Sequence, residues 1–295
     1  MPKKGIYISI RPHSHAHGGG ANTFAWNFVN YLIKKDIPIN WNLLTAEKAL
    51  IIADKVNTFL LRIAKKTGCH IVHRLDEHIT PDESIQRKRK HARIFRVNRL
   101  TDITVFQSEF VKNNVLPYLN PSRHEVIING GDPDIFYDRK SDDRRFVGHV
   151  TNSVGDKKRL DLLEKAIITY PKEQFLLVGN HAKSVIPFSK YENVTIAGPF
   201  PRQQLALYYQ QMKCLYFPSE NDPCPNTVVE AILSGVPVCY NLLGGTVEVV
   251  RDCGLSLEQF DVLLGQTAEF RQRCRLRKDL YFDAVAERYV SLLSG

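Results

Sequence analysis

Long apolar runs are missing from this sequence: no uninterrupted stretch approaches the ~18 residues that a membrane-spanning helix needs. The first residues, Met1-Pro2-Lys3-Lys4-Gly5, lead directly into an apolar strand expected at 6–10, so no secretory leader is expected. Cysteines are scattered at Cys69, Cys214, Cys224, Cys239, Cys253 and Cys274, and none forms a CxxC pair. That argues against a structural zinc site and for reduced thiols, so the expected location is the cytoplasm. Also absent are a G-x-G-x-x-G dinucleotide fingerprint, a Ser-His-Asp constellation, an internal repeat at solenoid spacing and any low-complexity tract.

What is present is ordinary globular material. The chain has 295 residues, 43% hydrophobic and 24% charged, a balance that suits about two domains. Acids are outnumbered, 31 Asp and Glu against 40 Lys and Arg, for a net charge of +9. The excess gathers in two places: Arg87, Lys88, Arg89, Lys90, Arg93, Arg96 and Arg99, then Arg271, Arg273, Arg275, Arg277 and Lys278. Such clusters suit an anionic membrane surface, a phosphorylated acceptor or nucleic acid, and equally a solvated helix face. Ile94, Phe95 and Val97 interleave with the first cluster, which anchors part of it in a core.

Short apolar runs alternate with helical periodicity throughout. Strands are expected at 6–10, 49–53, 70–73, 104–106 and 125–128, and helices at 21–35, 56–66, 81–94 and 108–116. In the first helix Phe24, Phe28, Tyr31 and Leu32 recur three and four apart. The polar run 138–145 reads as an interdomain linker. Alternation then resumes, with strands at 146–151, 175–178, 194–197, 213–217 and 236–240. Helices are expected at 159–170, 201–211, 226–234, after Ser256 and at 280–293. Repeated βα alternation argues for parallel, doubly wound sheets.

The most informative segment is 218–238. An apolar strand ends at Phe217, a loop carries Glu220 and Asp222, and a helix opens near Asn226 with Glu230 in its first turns. Ligands bind at such strand ends. The N–H groups at the helix start suit an anion and the acids suit hydroxyl groups. A phosphate joined to a polyol, as in a nucleotide sugar, meets both demands. The Asp222-x7-Glu230 spacing, followed by Ala231, Gly235, Pro237 and Gly244-Gly245-Thr246-Val247-Glu248-Val249-Val250, resembles the E-x7-E element of retaining family 4 glycosyltransferases (glycosyl transferases group 1). In this chain Asp stands where that family most often has the first Glu.

The resemblance covers most of the chain, thins over 40–100, and implies the GT-B fold: two Rossmann-like, doubly wound α/β domains facing a central cleft. The implied division is 1–140 on the acceptor side, 141–278 for the nucleotide sugar, and 279–295 as a helix crossing back. It also implies roles. His73, in His73-Arg74-Leu75-Asp76 at a strand end, matches the histidine beside the transferred sugar. Lys158 matches the donor-phosphate lysine, and Asp222 would contact the donor sugar. Gly19 and Gly20, in the glycine-rich turn 11–22, would face the donor. Ser153 stands where the family carries an arginine. Asn180, Gly198 and Phe200 fall in loops that hold the base. Pro223, Cys224, Pro225, Asn226 and Thr227 would offer backbone N–H groups, and Glu230 would take the ribose hydroxyls. Asn129-Gly130-Gly131-Asp132 resembles a structural turn of the family.

The implied activity is retaining, metal-independent transfer of a hexose-like unit from a nucleoside diphosphate sugar to a glycan or lipid-linked acceptor, with no cofactor. Peripheral contact with an anionic membrane surface fits the basic clusters. Three alternatives stand beside it: a degenerate chain that binds a nucleotide sugar or glycan without turnover, a GT-B enzyme acting on nucleic acid or a plain nucleic-acid binder using 87–99 (the weaker case), and an epimerase of the same fold. A His13-His15-His17 metal site is disfavoured, because its loop is glycine-rich and lacks carboxylate partners.

Overall fold

The computed structural model describes residues 5–12, 19–80, 83–140 and 143–295. The chain divides into two compact units: unit 1 comprises 1–129 and 282–295, and unit 2 comprises 130–281.

Unit 1 runs β1 (Ile6–Ile8), α1 (Gly20–Lys34), β2 (Lys48–Ile52), α2 (Thr58–Lys66), β3 (His70–Leu75), α3 (Ile85–Asn98), β4 (Ile103–Phe106), α4 (Glu109–Val115) and β5 (His124–Val126). The five strands are parallel in the order β1-β2-β3-β4-β5. An additional short segment lies outside β1. Ile6 N–H donates to the Pro38 carbonyl (2.9 Å) and Asn40 N–H to the Ile6 carbonyl (3.0 Å), with Ile39 bridged to Ile6 in parallel. The chain therefore winds outward from β1 to this edge, then returns to start β2 on the other side. That reversal makes the sheet doubly wound, with its switch point between β1 and β2. Helices cover both faces. α1 buries Phe24, Phe28 and Leu32 against Ile6, Ile8, Leu50 and Val72, while α2 and α3 bury Leu61, Ala64 and Val97 against Ala49, Ile51 and Ile71. Side-chain caps fix three of these helix starts: Asn57 accepts from Phe59 and Leu60 N–H, Ser84 from Arg87 N–H, and Ser108 from Val111 N–H.

Unit 2 runs β6 (Phe146–Thr151), α5 (Leu160–Thr169), β7 (Gln174–Gly179), β8 (Val194–Ala197), α6 (Arg202–Tyr209), β9 (Met212–Phe217), α7 (Asn226–Leu233), β10 (Val238–Tyr240), α8 (Thr246–Val250), β11 (Gly254–Ser256), α9 (Phe260–Gly265) and α10 (Thr267–Arg275). All strands are parallel, in the order β11-β10-β9-β6-β7-β8. Renumbered from β6, this is the 3-2-1-4-5-6 order of a doubly wound dinucleotide-binding sheet, with its switch point between β6 and β9. The last helix, α11 (Phe282–Ser294), belongs to unit 1, where Phe282 and Tyr289 meet Phe24 edge to face (5.6 and 5.0 Å).

The polar segment 138–145 is not a linker. Asp138 is held by Arg144 (3.0 Å), Arg271 (2.6 Å) and Arg275 (2.6 Å), all within unit 2. The chain passes between units at 129–130 and 281–282 instead. Burial pushes the Asp138 carboxyl up, but the three guanidinium groups outweigh it and hold the acid well below its usual range. The four arginines of the second basic cluster are consumed internally. Arg273 pairs with Glu269, and Arg277 binds Asp279 (2.8 Å) and donates to the Val249 carbonyl (2.7 Å).

Candidate functional site

In unit 2 the loops leaving β6 and β9 meet at the switch point. Lys158 closes the loop after β6, and its Nζ lies 3.4 Å from Asp222 Oδ2; the two side chains are 26% and 21% exposed. The ammonium also sits 5.8 Å from the Phe217 ring centre, at the end of β9. Beside this pair, Arg159 bonds Glu220 (3.1 Å), and Glu220 N–H donates to the Lys157 carbonyl (2.9 Å). Asp222 is supported from β10's side. Gly245 N–H donates to its carbonyl (2.9 Å), and a Cβ on Gly244 would lie 2.9 Å from the Asp222 nitrogen. Gly244 has φ +126, so only glycine brings that backbone close without strain.

Glu230 occupies the second turn of α7 and is 8% exposed. Its Oε1 lies 3.5 Å from an Arg202 guanidinium nitrogen, and the Tyr209 hydroxyl stands beside it while donating to the Thr227 carbonyl (3.1 Å). Burial pushes the Glu230 carboxyl up to about 7, although Arg202 and Tyr209 pull it down. Arg202 also lies over the Phe136 ring (5.2 Å), and Phe136 meets Tyr209 edge to face (5.9 Å). None of Arg202, Tyr209 and Phe136 was expected from the sequence. A signal existed: an arginine opening a helix opposes the helix dipole and implies a specific acidic partner.

The remaining expected positions fall as follows. Ser153 is exposed in a turn where its N–H donates to Thr151 Oγ1 (3.2 Å). Asn180 ties the ends of β6 and β7, its amide donating to the Asn152 carbonyl (2.9 Å). Gly198 carbonyl accepts from Gly179 N–H (3.2 Å), and Phe200 packs on Tyr208 (4.8 Å). Pro223 and Cys224 lead into α7, where Pro225 precedes Asn226 and Thr227 with no side-chain cap. Cys224 is buried. Gly19 and Gly20 open α1 in unit 1, and among the described residues nothing lies within 4 Å of a Cβ at Gly19.

His73 departs from expectation. It is fully buried on β3, with Nε2 2.8 Å from the Ala53 carbonyl and Nδ1 3.1 Å from the Asn98 amide nitrogen. Both ring nitrogens are therefore occupied beneath α3, and burial pushes the imidazole down to about 4. It has no free nitrogen for a sugar hydroxyl. The alternation of β3 explains this: His73 shares the face of Ile71, and the opposite face carries Val72 and Arg74. Arg74 is also inward, its guanidinium 4.0 Å from the Phe24 ring and bonded to Asn129 Oδ1 (2.8 Å).

Among the described residues, no group of His, Cys, Asp or Glu is arranged to hold a metal ion. His13, His15 and His17 lie outside the described residues. Among the described residues, no helix is long and apolar enough to cross a membrane. All six cysteines are buried, and none forms a disulfide.

Residues 144–269 match the sequence model of the family described as Glycosyl transferases group 1. No curated protein sequence matches the chain. Several solved structures do match in fold. Sucrose-phosphate synthase from Thermosynechococcus elongatus superposes with TM-score 0.74 at 14% identity, over 97% of this chain and 97% of that one. Anabaena HepE, in complex with UDP and glucose, gives 0.75 at 14% identity, over 99% and 100%. WaaG, a glycosyltransferase involved in lipopolysaccharide biosynthesis, gives 0.68 at 12% identity, over 98% and 99%. The chain has the GT-B fold of these glycosyltransferases, and its Lys158–Asp222 and Glu230 positions lie within the stretch that matches the group 1 family.

Proposed function

We propose that this protein is a retaining, metal-independent glycosyltransferase that takes a hexose-like unit from a nucleoside diphosphate sugar. The observation that carries the reading is the Lys158–Asp222 pair at the β6/β9 switch point, with Glu230 one helix turn further on. A cation and a carboxylate at 3.4 Å form a divided receptor, the ammonium for a diphosphate and the carboxylate for sugar hydroxyls. Glu230 supplies the acceptor for ribose hydroxyls, and the base lies against the loops of Asn180, Gly198 and Phe200. The start of α7, from Pro223 to Thr227, adds backbone N–H groups. UDP, the nucleotide in the HepE complex, is the first candidate.

The acceptor oxygen bonds to the anomeric carbon on the face that the diphosphate leaves. The carbon–oxygen bond to phosphate breaks, and the acceptor's proton passes to the departing phosphate. Lys158 stabilises the charge developing there. Asp222 orients the sugar. His73 has no part in these steps, because both of its nitrogens are engaged.

The acceptor is proposed to be a glycan or a lipid-linked sugar. α3 supports the lipid arm. Lys88, Arg89, Arg96 and Arg99 are exposed, and with Ile85 (70% exposed) they fall within about a third of the helix circumference. Arg87, Lys90 and Arg93, by contrast, pair with Glu83, Glu77 and Asp54. The exposed stripe suits an anionic membrane surface.

Nucleoside diphosphate release from UDP-, GDP- and ADP-sugars, with candidate acceptors and EDTA, tests the proposal. Release that needs an acceptor and survives EDTA supports it. A second reading has one observation behind it: Ser153 contributes no charge beside Lys158, and the Arg159 guanidinium is bound to Asp161 and Glu220, so the chain binds the donor without turning it over. Donor binding with no release from any acceptor selects that reading.

A further inference from the structure

We infer that Arg159 is a positioning residue for the proposed donor site, fixing the Lys158 loop against the Asp222 loop; the inference rests on the donor-site reading. Arg159 has φ +46 and ψ +51, left-handed backbone that a non-glycine residue holds only when its surroundings demand it. Its side chain supplies the demand. Nε and Nη2 donate to the two carboxylate oxygens of Asp161 (3.0 and 2.8 Å), and Nη1 donates to Glu220 (3.1 Å). The fork therefore grips the start of α5 and the loop after β9 together.

The backbone repeats the connection two residues earlier, through Glu220 N–H to the Lys157 carbonyl (2.9 Å). Lys158 sits between these two anchors, and its only described acidic partner is Asp222 at 3.4 Å. The guanidinium of Arg159 is spent on carboxylates, so it does not itself reach a diphosphate. Its effect passes through Lys158, whose placement matters more because Ser153 contributes no charge. An ordinary exposed ion pair contributes little, which does not account for a strained backbone at this point.

The test separates positioning from folding. Arg159→Gly removes the fork and also relieves the backbone strain, so its melting temperature is expected to stay near that of the wild type. Binding of UDP and uridine is measured by calorimetry, with GDP and guanosine in parallel. The expected result is diphosphate binding weakened about tenfold, with nucleoside binding unchanged. Glu220→Gln, which leaves the backbone alone, should reproduce the selective loss. Unchanged UDP and GDP binding in both variants overturns the inference while leaving the donor site intact. Equal weakening of nucleoside and diphosphate also overturns it, because the role is then structural. A wild type that binds no nucleotide removes the donor-site reading, and the inference with it.

Discussion

At the end of β3 in unit 1, His73 and Arg74 turn inward, and the His73 nitrogens are taken by Ala53 and Asn98. At the ends of β6 and β9 in unit 2, Lys158 and Asp222 stay partly exposed and hold each other at 3.4 Å. Both places offer polar side chains at the C-terminal edge of a parallel sheet, where ligands bind in this architecture. Residue type is thus a poor guide to a site. What separates His73 from the Lys158–Asp222 pair is whether hydrogen-bonding capacity is left over after folding, since a side chain with every donor and acceptor satisfied has nothing to offer a ligand. The two basic segments repeat the contrast. Arginines 271, 273, 275 and 277 are bonded within unit 2, whereas α3 leaves a stripe of cations to solvent.

Substitutions can break this comparison, beginning with the largest effect. Asp138→Ala strips the shared partner from three arginines and should cost about 3–5 kcal/mol of stability, read by denaturant unfolding. His73→Leu takes the His73 partner from the Ala53 carbonyl and one of two bonds from the Asn98 amide, which keeps Thr104 (2.7 Å), and should cost about 2 kcal/mol. Its nucleotide affinity should not change; a loss of affinity without a loss of stability would return His73 to the site. Lys158→Ala should do the reverse, leaving stability alone and weakening UDP binding about tenfold.

The pH dependence follows from the buried groups. With the Glu230 carboxyl raised to about 7, the fold favours its protonated form, so the penalty for ionising it grows as pH rises from its ordinary range to about 7. Glu230→Gln should therefore melt above wild type at pH 8, with the gap closing toward pH 5. Ribose recognition needs the ionised form, so nucleotide affinity should strengthen between pH 6 and pH 8 in the wild type only. Histidines behave oppositely. Burial pushes His73 and His181 down to about 4, and pushes down His149, which bonds His181 at 2.6 Å. The unfolded chain takes up their protons first, so stability should fall as pH drops from about 6.5 toward 4. The smallest effect is expected on α3. Replacing Lys88, Arg89, Arg96 and Arg99 by Gln should change stability by about 0.5 kcal/mol or less, while reducing sedimentation with phosphatidylglycerol vesicles at low salt.

Much of this was legible in the sequence. βα alternation gave both parallel sheets, because buried strands read as apolar runs bounded by helical periodicity. The expected helix 226–234 and the observed α7, Asn226–Leu233, differ by one residue. Other features were hidden for physical reasons. The edge segment at 38–40 is too short to show a strand pattern, yet it makes the first sheet doubly wound. The helix expected at 81–94 begins at Ile85, because Ser84 caps it. Polarity at 138–145 resembled a linker because an ion-pair core is as polar as a loop, and its partners lie more than a hundred residues away. His73 was misplaced by the alternation of a strand: its neighbours in sequence fix the edge, but only the fold says which face is covered. Arg202 and Tyr209 were missed because their link to Glu230 spans two helices.

The measurement that bears most directly on the account is thermal stabilisation by UDP, GDP and ADP, comparing wild type with Glu230→Ala. A ligand at about 100 times its dissociation constant stabilises the folded state by about 2.7 kcal/mol, enough to read as a clear shift in melting temperature. Such a shift is expected for at least one nucleotide, and it should disappear in the variant. No shift with any nucleotide, or a shift that survives in Glu230→Ala, would contradict the donor-site reading.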